Sequence, residues 1–265
     1  MTLSAYLDGI GILGPGLNGW QESAEILSGH RAYQSAPTVL PPPSKLPPAE
    51  RRRTGRVVRV ALGVAFEATA AADADPALLP SVFSSSGADG HICHEICQAL
   101  ALPAREVSPT RFSNSVHNAP AGYWSIATGG MTESNVLCAF DASFVAGLLE
   151  AMTQVNVDRR TVLLVAYDTE YPPPLHAKRP LPDAFGIAMV LSPSETAKSQ
   201  ARLGLDLADE PFDTLCEPQL EALRTSIPAA RALPLLRILA LKKQARTVIE
   251  YLDGTRASVQ IKPCR

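Results

Sequence analysis

One stretch, Arg111 to Glu170, constrains this chain more than any other. It contains an apolar run at Val136-Leu-Cys-Ala-Phe140, a polar step at Asp141-Ala-Ser143, an apolar segment from Phe144 to Val155, and a second run at Thr161-Val-Leu-Leu-Val-Ala-Tyr167. The two runs have strand length and strand composition, and the segment between them reads as an apolar helix. The order predicted is strand, tight polar turn, buried helix, strand. Many enzymes place a nucleophile on such a turn, so what occupies it decides much of the function. Upstream, Phe112-Ser-Asn-Ser-Val-His-Asn118 leads into a helix through Ala121-Gly-Tyr-Trp-Ser-Ile126, broken at Gly129-Gly130.

The rest of the chain extends this pattern. Strands are predicted at about 5–12, 79–83, 135–140, 161–167 and 184–191, alternating with helices that include Trp20–Leu27, Val57–Ala72 and Gly90–Leu100. That alternation defines an α/β sheet covered by helices on both faces. Ser35 to Pro48 is too rich in proline for a helix or a central strand, and reads as a surface connection. After Ser194 the texture changes. Gln219–Leu223 and Ala229–Ala245 carry helical patterns, and Thr247–Leu252, Asp253-Gly254 and Ala257–Ile261 form a hairpin signal. The reading is therefore a domain over 1–192 and a helical and hairpin extension over 193–265 packed on it.

The 265 residues are 46% hydrophobic and 19% charged, a globular composition. A net charge of -2 argues against broad electrostatic binding to nucleic acid or to an anionic membrane. Five cysteines, at 93, 97, 138, 216 and 264, show no paired framework and read as reduced thiols. Met1 to Gly11 lacks the features of a signal peptide, and the apolar stretches stop short of a membrane span. The expectation is a cytoplasmic protein.

Three motifs invite sharper readings. Gly9-x-Gly11-x-x-Gly14 has the spacing of a dinucleotide loop, but Pro15-Gly16 follows where a helix should begin, so a structural turn is expected and no cofactor. Cys93 and Cys97 lie one helical turn apart, and His94 is close by. A closed metal site needs four converging ligands, which one straight helix rarely presents, so no metal is expected. Arg51-Arg-Arg53 could dock an acidic partner, but reads more simply as a solvated helix start.

The order of parts resembles the N-terminal half of the thiolase-fold condensing enzymes, the β-ketoacyl synthases. The resemblance covers roughly residues 4 to 192. It rests on Ile10-Gly-Ile with its Gly-Pro turn, Arg51-Arg-Arg before an alanine-rich helix, Val82-Phe-Ser-Ser-Ser-Gly87, Asn118-Ala-Pro-Ala-Gly-Tyr-Trp-Ser-Ile126, Val162-Leu-Leu-Val-Ala, and Ala184 to Leu191. It implies a thiolase-like half with a mixed five-stranded sheet. Phe112–Asn118, Asp141-Ala-Ser-Phe144 and Gly147-Leu-Leu-Glu-Ala151 are similar to short synthase-like proteins of aryl-polyene and xanthomonadin-type pathways. Such proteins serve as chain-length-factor partners of an active ketosynthase.

Two departures from the condensing enzymes bear on function. Those enzymes carry Thr-Ala-Cys at the strand-to-helix turn; counting forward from Gly122 puts Ser143 at the cysteine position, while Cys138 lies upstream in the strand. They also draw two catalytic histidines from their C-terminal half, and residues 193–265 contain none. The resemblance thus implies a non-catalytic subunit that pairs with an active β-ketoacyl synthase and shapes its acyl cavity, meeting acyl carrier protein through that partner. Asn135 to Phe140 would form the interface strand, with Phe112, His117, Asn118, Trp124, Cys138, Phe140, Asp141 and Phe144 near the interface or cavity. The alternative is a serine-dependent acyltransferase or hydrolase using Ser143, for which His117 is the one histidine in the central stretch.

Overall fold

All five strand-like runs of the first 192 residues form strands, and they lie side by side in one sheet. The structure is a computed structural model and describes residues 2–264. Its strands are β1 (Leu3–Gly14), β2 (Leu17–Asn18), β3 (Ser81–Ser84), β4 (Ser134–Leu137), β5 (Val162–Asp168), β6 (Phe185–Ser192), β7 (Ala201–Ala208), β8 (Ala245–Leu252) and β9 (Thr255–Pro263). Its helices are α1 (Trp20–Leu27), α2 (Pro48–Arg51), α3 (Arg56–Ala71), α4 (Gly90–Ala101), α5 (Pro109–Asn114), α6 (Ala119–Thr128), α7 (Ser143–Asp158), α8 (Pro218–Ser226) and α9 (Leu233–Leu241). The sheet order is β4-β3-β5-β6-β1-β7-β9-β8, with β2 hairpinned onto the end of β1. β4, β3 and β5 run parallel, and the remaining pairings are antiparallel.

The first five strands of that order are the mixed sheet expected. The C-terminal hairpin, however, continues the same sheet, through a strand that the sequence reading missed. β7 pairs with the first half of β1, Leu3 against Leu205 through Leu7 against Ala201, and β9 pairs with β7 in turn. The period-two signal was present: Ala201, Leu203 and Leu205 are buried while Arg202 is exposed. Interruption by glycine and aspartate, both poor strand formers, masked it. The single helix expected over Ala229–Ala245 is also corrected. Pro228–Ala232 is a 3-10 turn, α9 follows, and Lys242 ends it in the left-handed conformation at φ 51°, so that Ala245 already starts β8.

Helices cover both faces. One face of the sheet is packed by α3 and α6, the other by α1, α7, α8 and α9. α3 crosses β1 so closely that a Cβ on Gly9 would collide with the Ala68 carbonyl, and one on Gly11 with the Val64 carbonyl. That approach explains the glycine spacing in β1. The strand runs on through Gly14 into a turn and β2, with no helix at the third glycine. Glu67 on α3 then accepts the backbone N–H groups of Ile12 (2.9 Å) and Trp20 (2.5 Å). It thereby supplies the N-terminal cap that Gly19 lacks the side chain to give. Burial of this carboxylate raises its pKa. The arginine run is mostly structural. Arg51 donates to the Ser44 and Leu46 carbonyls (3.0 and 3.1 Å), tying down the proline-rich connection, and Arg53 pairs with Glu50 (3.2 Å).

The close approach sets a test. Gly11→Ala should destabilise the fold by about 1–3 kcal/mol or more through overpacking against backbone. Gly204→Ala on β7, where the nearest atoms to an added Cβ lie at 3.6 Å, should stay within about 0.5 kcal/mol of the parent. Urea unfolding midpoints separate the two.

Candidate functional site

The parallel strands β4, β3 and β5 end on the same side of the sheet, where clefts of open α/β sheets form. Three segments converge there: Ser84–Gly87 after β3, Cys138–Ser143 after β4, and Asp168–Glu170 after β5. The strand expected to reach Phe140 stops at Leu137, because Phe140 adopts φ 51° and starts a 3-10 turn, Phe140–Ala142, that feeds directly into α7. A bulky residue in this left-handed region is costly and persists only where its surroundings impose it.

Those surroundings are specific. The Ser143 hydroxyl donates to the Phe140 carbonyl (2.7 Å) and accepts the Ala139 N–H (3.1 Å), so both sides of the hydroxyl are used to close the turn. Its backbone carbonyl accepts the Ser84 hydroxyl (2.6 Å), which fixes the start of α7 against β3. Gly147, one turn later, keeps that contact close, since a Cβ there would press on Ser84 and Leu164. Asp141 pairs with Arg179 (2.6 Å) and Arg231 (3.2 Å), and the Arg179 guanidinium lies 3.7 Å over the Phe140 ring. The turn thus presents an aromatic ring, 60% exposed, clamped by a cation on one face.

A second polar knot sits behind it. Ser85 Oγ donates to the Gly87 carbonyl (2.8 Å) and lies 3.1 Å from His117 Nε2. With the single Ser85 proton so used, Nε2 is assigned as the protonated ring nitrogen. Burial holds the His117 pKa below the ordinary histidine value, favouring the neutral ring. Asp168 is fully buried and accepts the Ser86 N–H (2.9 Å), the Ser86 hydroxyl (2.6 Å) and the Ala229 N–H (2.8 Å). Burial outweighs those donors and pushes its pKa up to about 6. Tyr167 beside it is also fully buried, which raises its phenol above the usual range. The Cys138 thiol donates to the Ser86 carbonyl (3.3 Å).

The residues singled out from the sequence separate into two groups. Phe112, Asn118, Cys138 and Phe140 are exposed, and His117 and Asp141 are half-buried. Trp124 is buried instead, its ring tilted against Phe66 with centroids 4.7 Å apart between α6 and α3, and Phe144 points from α7 into the core. His117 sits on the connection between α5 and α6 and pairs with Ser85. Asp168, Arg179 and Arg231 were missed. Asp168 had a readable signal, an acid closing an apolar strand; the two arginines reach the turn from distant segments and had none. Cys93, His94 and Cys97 lie on α4, whose one buried residue is Gly90, and no cluster of three or more His, Cys, Asp or Glu suited to a metal occurs among the described residues.

The sheet edges differ at this site. β8, at one edge, is covered by the Asp213 backbone, which donates to the Val248 carbonyl (2.8 Å), and by the Asp213 carboxylate, which accepts the Val248 N–H (3.0 Å). β4, at the other edge, pairs with β3 alone among the described residues. The apolar strand expected to be buried is only half-buried for this reason.

This architecture matches solved ketosynthase assemblies. The ketosynthase ApeO in complex with its chain length factor ApeC from Xenorhabdus doucetiae includes a chain 22% identical, with a TM-score of 0.73 over 97% of this chain and 99% of that one. The ishigamide ketosynthase/chain length factor is 12% identical with a TM-score of 0.75, covering 99% of this chain and 100% of that one. A β-ketoacyl synthase from Burkholderia phymatum STM815 is 13% identical with a TM-score of 0.65, covering 100% of both chains. At these identities the likeness establishes a thiolase-like ketosynthase fold. The sequence itself matches the family described as β-ketoacyl synthase, N-terminal domain, over residues 20–248. The chain belongs to that family. No curated protein sequence matches it, and no helix among the described residues is long and apolar enough to cross a membrane.

The buried carboxylate makes stability depend on pH. The folded pKa of Asp168 is raised from 3.8 to about 6, so the folded state holds this proton more tightly than the unfolded state. Its stabilising effect is complete below about pH 4 and is lost as pH rises through 6, a change on the order of 3 kcal/mol. Subtracting the urea stability profile of Asp168→Asn from that of the parent should reveal this fall between pH 4 and 6; a flat difference would contradict it.

Proposed function

We propose that the protein is a non-catalytic, chain-length-factor type subunit that pairs through β4 with an active β-ketoacyl synthase and shapes its acyl cavity. The carrying observation is the open edge of β4 beside the exposed Phe140 ring, in a fold whose opposite edge is covered. A half-apolar parallel strand with an unpaired outer side is a template for a strand from another chain. Glu133 and Leu137 direct their carbonyls to β3, accepting from Ser81 and Ser85. By alternation, Ser134 and Val136 present their backbone groups outward. Phe112, His117, Asn118, Cys138, Phe140 and Asp141 would lie at or near the partner-facing side.

The chemistry at the turn supports the non-catalytic part of the reading. Phe140, on the strained strand-to-helix turn, carries no nucleophilic atom. Ser143, the other candidate, has its hydroxyl engaged at both proton and lone pair by the turn's own backbone. His117 is paired with Ser85 rather than with Ser143. Acyl carrier protein would be met through the partner, in the cytoplasm, during polyketide, aryl-polyene or fatty-acid-like chain building.

Co-expression with an active β-ketoacyl synthase of the same organism should yield a roughly 1:1 complex. Val136→Pro removes an outward N–H without breaking the β3 ladder, and should abolish co-purification while circular dichroism stays unchanged. Clean isolation of the parent chain as a monomer beside the synthase would sink the proposal. Separately, incubation with an acyl thioester should leave Ser143 unmodified by mass spectrometry; an adduct there would favour a serine-dependent acyl enzyme.

A further inference from the structure

A pocket of about 390 Å³ opens between α1, α9 and the ends of β7 and β9. Its volume falls within the range of small-molecule sites. Trp20 and Ala24 line it from α1, Ile238 and Leu239 from α9, and Ile261 from β9. None of the residues of the Phe140 turn or of β4 takes part, so the pocket is separate from the proposed pairing surface.

We propose that this pocket binds a small amphiphile with an anionic head, of the class of medium-chain carboxylates. The apolar walls supply the slot for the tail. Lys242 supplies the charge: it lines the pocket at the end of α9, where its left-handed backbone, φ 51°, turns the chain toward β8. Lys198 pairs with Asp73, whereas Lys242 forms no ion pair among the described residues, so its ammonium is available to a ligand. The hydroxyl of Ser199, also on the wall, already donates to Asp8 (2.6 Å). The Cys264 thiol on the rim has its pKa raised, by burial first and then by Glu195 and Asp8, which favours the unreactive thiol form. Those two carboxylates therefore lie near Cys264, just past the end of β9, whereas Lys242, the proposed charge partner of the head group, stands at the end of α9. A neutral tail alone would leave the Lys242 charge unused, and a cationic head would be repelled by it.

The test is titration of the full chain with decanoate below its micelle concentration, read by calorimetry and by Trp20 fluorescence, since Trp124 is only 3% exposed. Saturable binding at one site is expected. Lys242→Gln should weaken it several-fold and Lys242→Glu about tenfold or more, with the modest first figure reflecting a solvent-exposed charge. Ala24→Phe should fill the slot and abolish binding, with the fold checked by circular dichroism. 1-Decanol should bind several-fold more weakly, as Lys242→Gln does, and decyltrimethylammonium about tenfold or more. The proposal is overturned by an absence of saturable binding, by 1-decanol binding as tightly as decanoate, or by unchanged affinity in Lys242→Glu. Because β4 pairing is measured by co-purification, neither result bears on the other.

Discussion

Backbone N–H and C=O groups along a sheet edge must find partners, water or cover, and this fold resolves its two edges differently. At β8 the connection before α8 folds back, and Asp213 uses both its backbone and its carboxylate to close the ladder. At β4 the ladder ends. The strand there is short, four residues, and only half-buried, with Val136 and Leu137 as its apolar half. Length limits the hazard of such an edge; composition keeps it adhesive. The placement of α6 and α7 on the two faces beside β4, and of the Phe140 ring just past its end, follows from where this edge falls.

The turn after β4 depends on a set of interactions drawn from the whole chain. Ser84 and Gly147 hold α7 against β3, Ser143 ties off the backbone, and Arg179, from the segment between β5 and β6, and Arg231, from the Pro228–Ala232 turn, fix Asp141. Asp168 joins the Ser86 loop to Ala229, linking the first half of the chain to its C-terminal segment through one buried carboxylate. A carboxylate buried there costs stability at neutral pH, and its three donors offset that cost only in part. The side chain that stands at the strained position of the turn is an exposed hydrocarbon ring, Phe140.

The C-terminal segment packs the sheet face that α7 also covers. The 3-10 turn at Pro228–Ala232 packs against α7, β5 and β6, α8 packs on that turn, and α9 packs on α1 and on β8 and β9. β7, β9 and β8 widen the sheet beneath them. Their outer face carries Arg202, Asp206, Gln260 and Arg246, the pattern of an antiparallel sheet wetted on one side.

Much of this was legible in the residues. Periodicity marked the five strands and the buried helices, because burial on one or two faces forces a period that any reader can count. The Asp-Gly turn marked the last hairpin, whereas Gly9 and Gly11, expected to form a structural turn, lie inside β1 where α3 passes close. β7 was missed because glycine and aspartate blur its alternation, and Trp124 and Phe144 were placed near a cavity because an aromatic residue has the same composition in a core as at an interface. At the turn, the sequence by itself determined that a polar step joins an apolar strand to an apolar helix without a thiol at the step. Only the tertiary structure decided that Phe140 takes the strained position, that Ser143 is spent on the backbone, and that β4 lies at an open edge. Those outcomes depend on Arg179, Arg231 and Ser84, and on the strand order, none of which is near in sequence to the residues it controls.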